Sequence, residues 1–268
     1  MDTSSSWTAH PRAVAPVAVS LTLEGLAILA VALRFYSHRL KRQGTAAHDL
    51  AILVALIFSS GLVACLIAAT VIGGLGQHTA DLPNPAVQLV QFAKIYLALS
   101  PIWGCAISAV KISILLLYIS IFRSKVFIRC CYGLILLQSL WCVAVILGSL
   151  LLCRPLKMNW DATAEGHCGS TTAIYLALHI VNLLFDVSVG LAPIPVLWQL
   201  QLKLWRKIEL SCMFALGIAI CIITILRINM INDLVSTDLT YSSSTLFLFM
   251  ILETLLGAIL ACLPMLRP

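Results

Sequence analysis

The sequence predicts an all-α integral membrane protein, a bundle of seven transmembrane helices. Two observations indicate a chain surrounded by lipid: 61% of the 268 residues are hydrophobic and only 10% are charged, whereas soluble domains carry about a quarter charged residues. A third observation is that seven separate segments each contain the roughly 20 mostly apolar residues that a helix needs to cross a bilayer. These features exclude a soluble globular enzyme, and the lipid bilayer is the first expected partner.

The seven apolar segments are joined by short polar connections. In chain order they cover residues 13–36, 49–73, 92–122, 127–152, 172–199, 208–231 and 242–263. We expect one membrane domain over 13–266, with a short outer segment at 1–12 and a cytosolic end at 267–268. The polar N-terminus has no basic region followed by a short apolar run and a cleavage site, so we expect no cleaved signal peptide.

The distribution of Lys and Arg predicts the orientation. The loops after the first, third and fifth segments hold four, three and three basic residues, and Arg267 makes 11 of the 17 on one side. Cytosolic loops carry such an excess, so the N-terminus is predicted outside and the C-terminus in the cytosol of a plasma membrane or endoplasmic reticulum protein. Arg34 is assigned to the first of these loops. The net charge of +6 predicts no nucleic-acid partner, because no water-exposed basic domain is present.

Ionisable side chains inside the predicted spans are candidates for a functional site. They are Glu24, Lys111, Asp186, Arg227 and Glu253. Each costs ~2.5–3.5 kcal/mol on insertion scales, and an unpaired ion in lipid is neutralised by a pKa shift, an acid by gaining a proton and a base by losing one. We therefore expect Lys111 to pair with Glu253 or Asp186, Arg227 to pair with the other acid, and Glu24 to be protonated.

A polar network is the expected arrangement of these groups. Asn182 lies four residues before Asp186 and so shares its helical face. Two interpretations stay open: the network fixes helix packing, or it binds a ligand or a proton. Its predicted members are Lys111, Asn182, Asp186, Arg227 and Glu253.

Three of the ten cysteines reach the predicted outer side, where disulfides form. Cys153 and Cys168 bracket the loop between the fourth and fifth segments. A bond between Cys105 and Cys168 is the alternative. The His and acidic residues near Cys168 match no familiar zinc spacing, so we predict neither a metal nor a cofactor.

Several stretches together resemble the fungal rhodopsin-like integral membrane proteins, which include receptor-like proteins of plant-pathogenic fungi. The chain departs from the family pattern at His48, where Asp is usual, and at Ser120, where Arg is usual; both positions are predicted on the cytosolic face. The resemblance implies a disulfide between Cys153 and Cys168. The matching stretches are RFYSHRL leading to HDLAI, GGLGQHTADL, KISILLLYISIF, LLCRPLKMNWDATAEGHC, NLLFDVSVGLAPIPVLWQLQL and ETLLGAILACLPMLRP.

The family name does not make this chain a light sensor. Retinal proteins bind their chromophore as a Schiff base on a lysine of the last helix. The segment 242–263 contains no lysine, and Lys111 lies on the third helix. We therefore expect no retinal.

Two classes of function remain. The resemblance favours a receptor-like sensor of a small lipophilic molecule or a surface cue, with the ligand inside the bundle and a cytosolic signalling partner. The alternative is a membrane-embedded enzyme of the cyclase or isomerase type, or an accessory protein of fungal secondary-metabolite biosynthesis. For the enzyme, Glu24, Asp186 and Glu253 are the candidate acid–base catalytic residues. Transport ranks last, because no inverted repeat is visible.

Overall fold

The structure is a computed structural model that describes residues 11–40, 47–122, 124–161, 165–193, 217–226 and 239–263. Within these ranges the chain forms seven α-helices and one small antiparallel sheet. The helices are α1 (Pro11–Leu40), α2 (Ala47–Val71), α3 (Pro85–Ile121), α4 (Lys125–Leu150), α5 (Thr171–Leu191), α6 (Gly217–Leu226) and α7 (Leu239–Cys262).

Six of the helices, all but α6, are long and apolar enough to cross a membrane. The described part of α6 is shorter and falls inside the predicted span 208–231, whose remaining residues lie outside the described ranges. The all-helical prediction is therefore confirmed, and each predicted span contains a helix. The orientation of the termini stays a prediction.

Two helices extend beyond the spans predicted from the sequence. Helix α1 continues to Leu40, and α3 begins at Pro85, about two turns before the predicted residue 92. Hydropathy marks only the part of a helix that lies in lipid, whereas backbone hydrogen bonding continues beyond it. Arg34 is consequently a fully buried residue of α1 rather than a loop residue.

Helix α3 occupies the centre of the bundle. It packs against α2, α4, α5 and α7, while α1 packs against α2 and α7. Buried residues make up 67% of the membrane-length window in α3 and in α7, but only 22% in α4 and in α5. The exposed apolar faces of the outer helices are those expected to contact lipid.

Small residues allow the central helices to approach closely, as is common in membrane bundles. A Cβ atom added to Gly104 of α3 would lie 2.8 Å from a methyl group of Val145 on α4. One added to Gly257 of α7 would lie 3.0 Å from a methyl group of Val110 on α3. Larger side chains at either glycine would therefore separate α3 from a neighbour.

A small disulfide-linked sheet connects α4 to α5. Its strands are β1 (Cys153–Arg154) and β2 (His167–Cys168), which run antiparallel. Cys153 lies opposite Cys168, and the two are joined by a disulfide bond. The pairing implied by the family resemblance is confirmed, and the alternative with Cys105 is wrong, since Cys105 is a free thiol on α3.

The turn after α2 is tied to the start of α7. Gly74 and Gly76 have φ angles of 67° and 86°, a region that favours glycine. The Gly76 amide donates to the Thr240 carbonyl at 3.0 Å. The Thr240 hydroxyl donates to the Gln77 carbonyl at 2.9 Å. The two bonds anchor the first turn of α7 to the end of the bundle that carries the disulfide.

A candidate polar site inside the helix bundle

Lys111 of α3 is buried, with 3% of its surface exposed. Its Nζ donates to the side-chain oxygen of Asn182 at 2.7 Å and to the main-chain oxygen of the same residue at 3.0 Å. It also forms an ion pair with Asp186 Oδ1 at 3.1 Å. An ammonium group has three donors, and these contacts can use all three. Asp186, one of the two acids left open by the sequence, is thus in contact with Lys111.

Asn182 links the ion pair to a third helix. Its Nδ2 donates to Glu253 Oε1 at 2.6 Å and contacts Asp186 Oδ2 at 3.3 Å. Asn182 and Glu253 have no exposed surface. The structure thus brings Lys111 of α3, Asn182 and Asp186 of α5, and Glu253 of α7 into one group, called here the Lys111 cluster.

Aromatic and sulfur side chains surround this cluster. The Lys111 Nζ lies 6.0 Å from the ring centre of Trp141 on α4 and 5.9 Å from that of Phe185 on α5, distances at which a cation interacts with an aromatic face. Cys221 of α6 interacts electrostatically with Lys111 and with both acids of the cluster. Side chains from all five helices α3 to α7 therefore meet around Lys111.

The cluster lies well inside the apolar span of α3, away from its ends. Lys111 precedes the last residue of α3, Ile121, by about 15 Å at 1.5 Å per residue, which is half the ~30 Å thickness of the hydrocarbon core. Electrostatic interactions are stronger where water is excluded. Such a group can bind the polar end of an apolar molecule or transfer a proton. Among the described residues, no group of three or more His, Cys, Asp or Glu side chains is placed to hold a metal ion.

Two other ionisable residues of the predicted spans remain, the candidate catalytic acid Glu24 and the predicted network member Arg227. Glu24 lies on α1, where its carboxyl group contacts the hydroxyl groups of Ser59 and Ser60 on α2. Arg227 lies outside the described residues. The prediction for Arg227 is therefore untested.

A second buried ion pair was missed by sequence reasoning. Arg34 of α1 has no exposed surface, and its Nε lies 2.9 Å from Asp49 Oδ1 on α2. Its Nη1 donates to the Ala261 carbonyl of α7 at 2.7 Å. His48, which was predicted on the cytosolic face, and Asp49 are both buried in the first turn of α2. The sequence signal was one Arg and one Asp on either side of the same loop.

These features define a class, the multi-pass α-helical membrane protein with charged groups held inside its bundle. The model of the fungal rhodopsin domain matches residues 33–268, and the chain belongs to that family. The family resemblance drawn from the sequence is confirmed.

Curated relatives extend this assignment. A SAT4 family membrane protein of Emericella nidulans is 29% identical over 180 residues, which cover 66% of this chain and 45% of that protein. The polyenoic acids biosynthesis gene cluster protein Ba17b of Metarhizium anisopliae is 27% identical over 257 residues, or 91% of this chain and 70% of that protein. The wortmanamides biosynthesis cluster protein C of Talaromyces wortmannii is 27% identical over 252 residues, or 90% and 66%.

The chain thus spans about half the length of the first of these relatives and about two thirds of the other two. No solved structure matches the chain.

Proposed function

We propose that the protein binds a small, largely apolar molecule at the Lys111 cluster and responds to it as a receptor-like sensor. The observation that carries this proposal is the cluster itself, a cation, an amide and two acids contributed by α3, α5 and α7 near the membrane midplane. Ligand sites of this kind have mostly apolar walls and a few convergent polar groups. Trp141 and Phe185 supply apolar wall beside Lys111.

The internal hydrogen bonds of the cluster suggest how a ligand would act. A ligand hydroxyl or carbonyl can replace an Asn182 oxygen as the acceptor for Lys111. Asn182 also holds Glu253 of α7, so such a replacement changes the link between α5 and α7. A ligand shifts a conformational equilibrium only when it binds one arrangement better than the other. Exchange of the Asn182 contacts provides this difference in binding between the two arrangements. A cytosolic partner would recognise the arrangement that the ligand favours.

A second candidate is a role in the synthesis of a lipophilic secondary metabolite, as an acid–base enzyme or an accessory protein. The names of the Metarhizium and Talaromyces relatives place those proteins in biosynthesis clusters. A paired Lys111 and Asp186 beside a second acid, Glu253, also suits proton transfer. On this hypothesis the protein acts in the endoplasmic reticulum, whereas a sensor of external cues acts in the plasma membrane.

Deletion of the gene in its native host separates the two candidates. An unchanged profile of lipophilic metabolites with a lost response to small molecules or surface cues supports the sensor. An accumulated precursor supports the enzyme. A deletion strain with an unchanged metabolite profile and an unchanged response contradicts both candidate functions.

Point variants test whether the Lys111 cluster carries the function. The deletion strain is complemented with the wild type, with Glu253→Gln, or with Thr254→Val. Thr254 is the matched control, because it is buried on the same helix and its hydroxyl donates to the Met250 carbonyl one turn earlier. We expect Glu253→Gln to lose the function at normal protein levels and Thr254→Val to keep it. Equal function in both variants contradicts a role for the cluster.

A further inference from the structure

Two half-buried thiols of neighbouring helices meet inside the bundle. Cys105 of α3 and Cys142 of α4 are both free, and their Sγ atoms lie 3.9 Å apart. The two sulfur atoms of a disulfide are separated by about 2 Å. The thiols of Cys105 and Cys142 are therefore in contact without being bonded, and an approach of about 2 Å would convert the contact into bonding distance.

Contacts on either side of the two thiols hold α3 and α4 in register. On the side of the disulfide-linked sheet, a Cβ atom added to Gly104 would lie 2.8 Å from a methyl group of Val145, so the helices are close there. One turn away on the other side, Gln138 Nε2 donates to Ser108 Oγ at 3.0 Å, and both side chains are buried. Rotation of the Cys side chains between staggered positions can therefore bring the sulfur atoms together without a shift of either helix.

The thiol pair lies beside the predicted lipid surface. Leu140 and Val143, which flank Cys142 on α4, expose 58% and 51% of their surfaces. Cys142 precedes Leu150, the last residue of α4, by about 12 Å, so it lies within the apolar span. Water-soluble thiols and disulfides such as glutathione carry charges, which an apolar region excludes. A reagent that reaches the pair must therefore dissolve in lipid.

Lipid hydroperoxides meet this condition, because their oxidising O–O group is carried on an acyl chain. Attack of one thiol on that group gives a sulfenic acid and a lipid alcohol. The second thiol then condenses with the sulfenic acid, so that the S–S bond forms and water leaves. The two sulfur atoms lose two electrons, which the O–O bond gains as it breaks, and the two thiol protons end on the alcohol and the water.

Proximity favours the second of these steps. Groups that are held in contact react as if each were present at very high concentration, so a sulfenic acid at either residue meets the other thiol at once. We infer that Cys105 and Cys142 form a redox modification site, in which a lipid hydroperoxide oxidises the two thiols to a second disulfide that joins α3 to α4.

This site is separate from the Lys111 cluster but adjoins it. Trp141, the residue before Cys142, lies with its ring centre 6.0 Å from the Lys111 Nζ. Its Nε1 also donates to the Leu178 carbonyl of α5 at 3.2 Å. A bond between Cys142 and α3 would therefore restrain the part of α4 that contacts both Lys111 and α5.

Peptide mapping of the full-length protein in lipid nanodiscs tests the site. The protein is left untreated, or treated with cumene hydroperoxide, a lipid-soluble probe, or with oxidised glutathione, a charged one; free thiols are then blocked and the digest is analysed without reduction. We expect a cross-link between Cys105 and Cys142 after cumene hydroperoxide and free thiols at both positions in the other two samples. Cys65→Ser, which removes a half-buried thiol of α2, should keep the cross-link, and Cys142→Ser should lose it.

Thermal unfolding gives a second readout on the same samples. A disulfide that fits the folded helices stabilises the protein by restricting the unfolded chain. Cumene hydroperoxide should therefore raise the unfolding midpoint of the wild type but not that of Cys142→Ser. The inference is overturned if cumene hydroperoxide leaves the two thiols free, if oxidised glutathione gives an equal yield of the cross-link, or if the cross-linked protein has an unchanged or lowered midpoint.

Discussion

Two buried ion pairs in this bundle have the same charges but different surroundings. Arg34 and Asp49 lie where helices end: Asp49 is in the first turn of α2, and Arg34 also bonds the Ala261 carbonyl in the last turn of α7. Lys111 and Asp186 lie within α3 and α5, away from the helix ends.

The difference suggests different roles for the two pairs. The last carbonyls of a helix lack intrahelical partners, and helix termini favour an acid at the start and a cation at the end. The pair of Arg34 and Asp49 therefore completes helix ends and holds α1, α2 and α7 together. Lys111 instead contacts Asn182, through its side-chain and main-chain oxygens, and Asp186. On the proposed function, the first pair stabilises the helix packing and the second belongs to the ligand site.

Removal of Arg34 should have the largest effect on stability. Arg34→Met removes the guanidinium group that pairs with buried Asp49 and donates to the Ala261 carbonyl, and losing one partner of a buried pair costs ~3–5 kcal/mol. Thermal unfolding in detergent should show a strongly lowered midpoint. Arg39→Met is the control, because Arg39 lies on the same helix but is exposed. Equal thermal unfolding midpoints for Arg34→Met and Arg39→Met would contradict a structural role for Arg34.

Removal of Lys111 should cost somewhat less, about 3 kcal/mol, the lower end of the range for a broken buried pair. Asn182 contacts Asp186 at 3.3 Å, and we expect this contact to remain in Lys111→Met and to offset part of the loss. Adding Asp186→Asn should restore most of the thermal stability but not the function in the complementation assay. If Lys111→Met changes neither stability nor function, the pair of Lys111 and Asp186 has neither role.

Opening the disulfide tests whether the opposite end of the bundle also matters for stability. The bond joins residues separated by 15 positions, and a loop of that size predicts up to about 3 kcal/mol in the chain-entropy model. We expect less, since the flanking helices already restrain the loop. Unfolding of Cys153→Ser should be compared with Cys105→Ser, which removes a free thiol. A larger loss for Cys105→Ser would contradict this expectation.

Glu253→Gln should have the smallest effect on stability. The substitution keeps the size of the side chain and an acceptor oxygen for Asn182, so we expect a loss of about 1 kcal/mol, the typical contribution of one hydrogen bond. The function should nevertheless be lost in the complementation assay. A large drop in the unfolding temperature would instead indicate that Glu253, like Arg34, mainly stabilises the helix packing.

Much of the helical fold could be predicted from the sequence, because apolar length alone identifies a membrane span. The burial of Arg34 could not be predicted from the sequence. Hydropathy ends a span at the first charged residues, and whether such a residue turns inward depends on the neighbouring helix. Asp49 and the Ala261 carbonyl are 15 and 227 positions away from Arg34.

The Lys111 cluster was predicted in part. Depth along each helix showed that Lys111, Asp186 and Glu253 lie near one layer. It could not show which acid faces Lys111, because that depends on helix rotation and on which helices are neighbours. Asn182 links Lys111 to Glu253. This link depends on how three helices pack together, and the spacing of residues on one helix cannot predict it.

The length of α3 has a mechanical consequence. Its 37 residues span about 55 Å, more than the ~40–45 Å of a whole bilayer, so the helix tilts or protrudes. Near one end, Lys94 lies with its Nζ 5.7 Å from the ring of Trp160 in the disulfide-bearing loop. The helix continues without a break through Pro101 to Lys111, about 26 Å further on. A displacement of that loop would therefore be transmitted along α3 to the ion pair between Lys111 and Asp186.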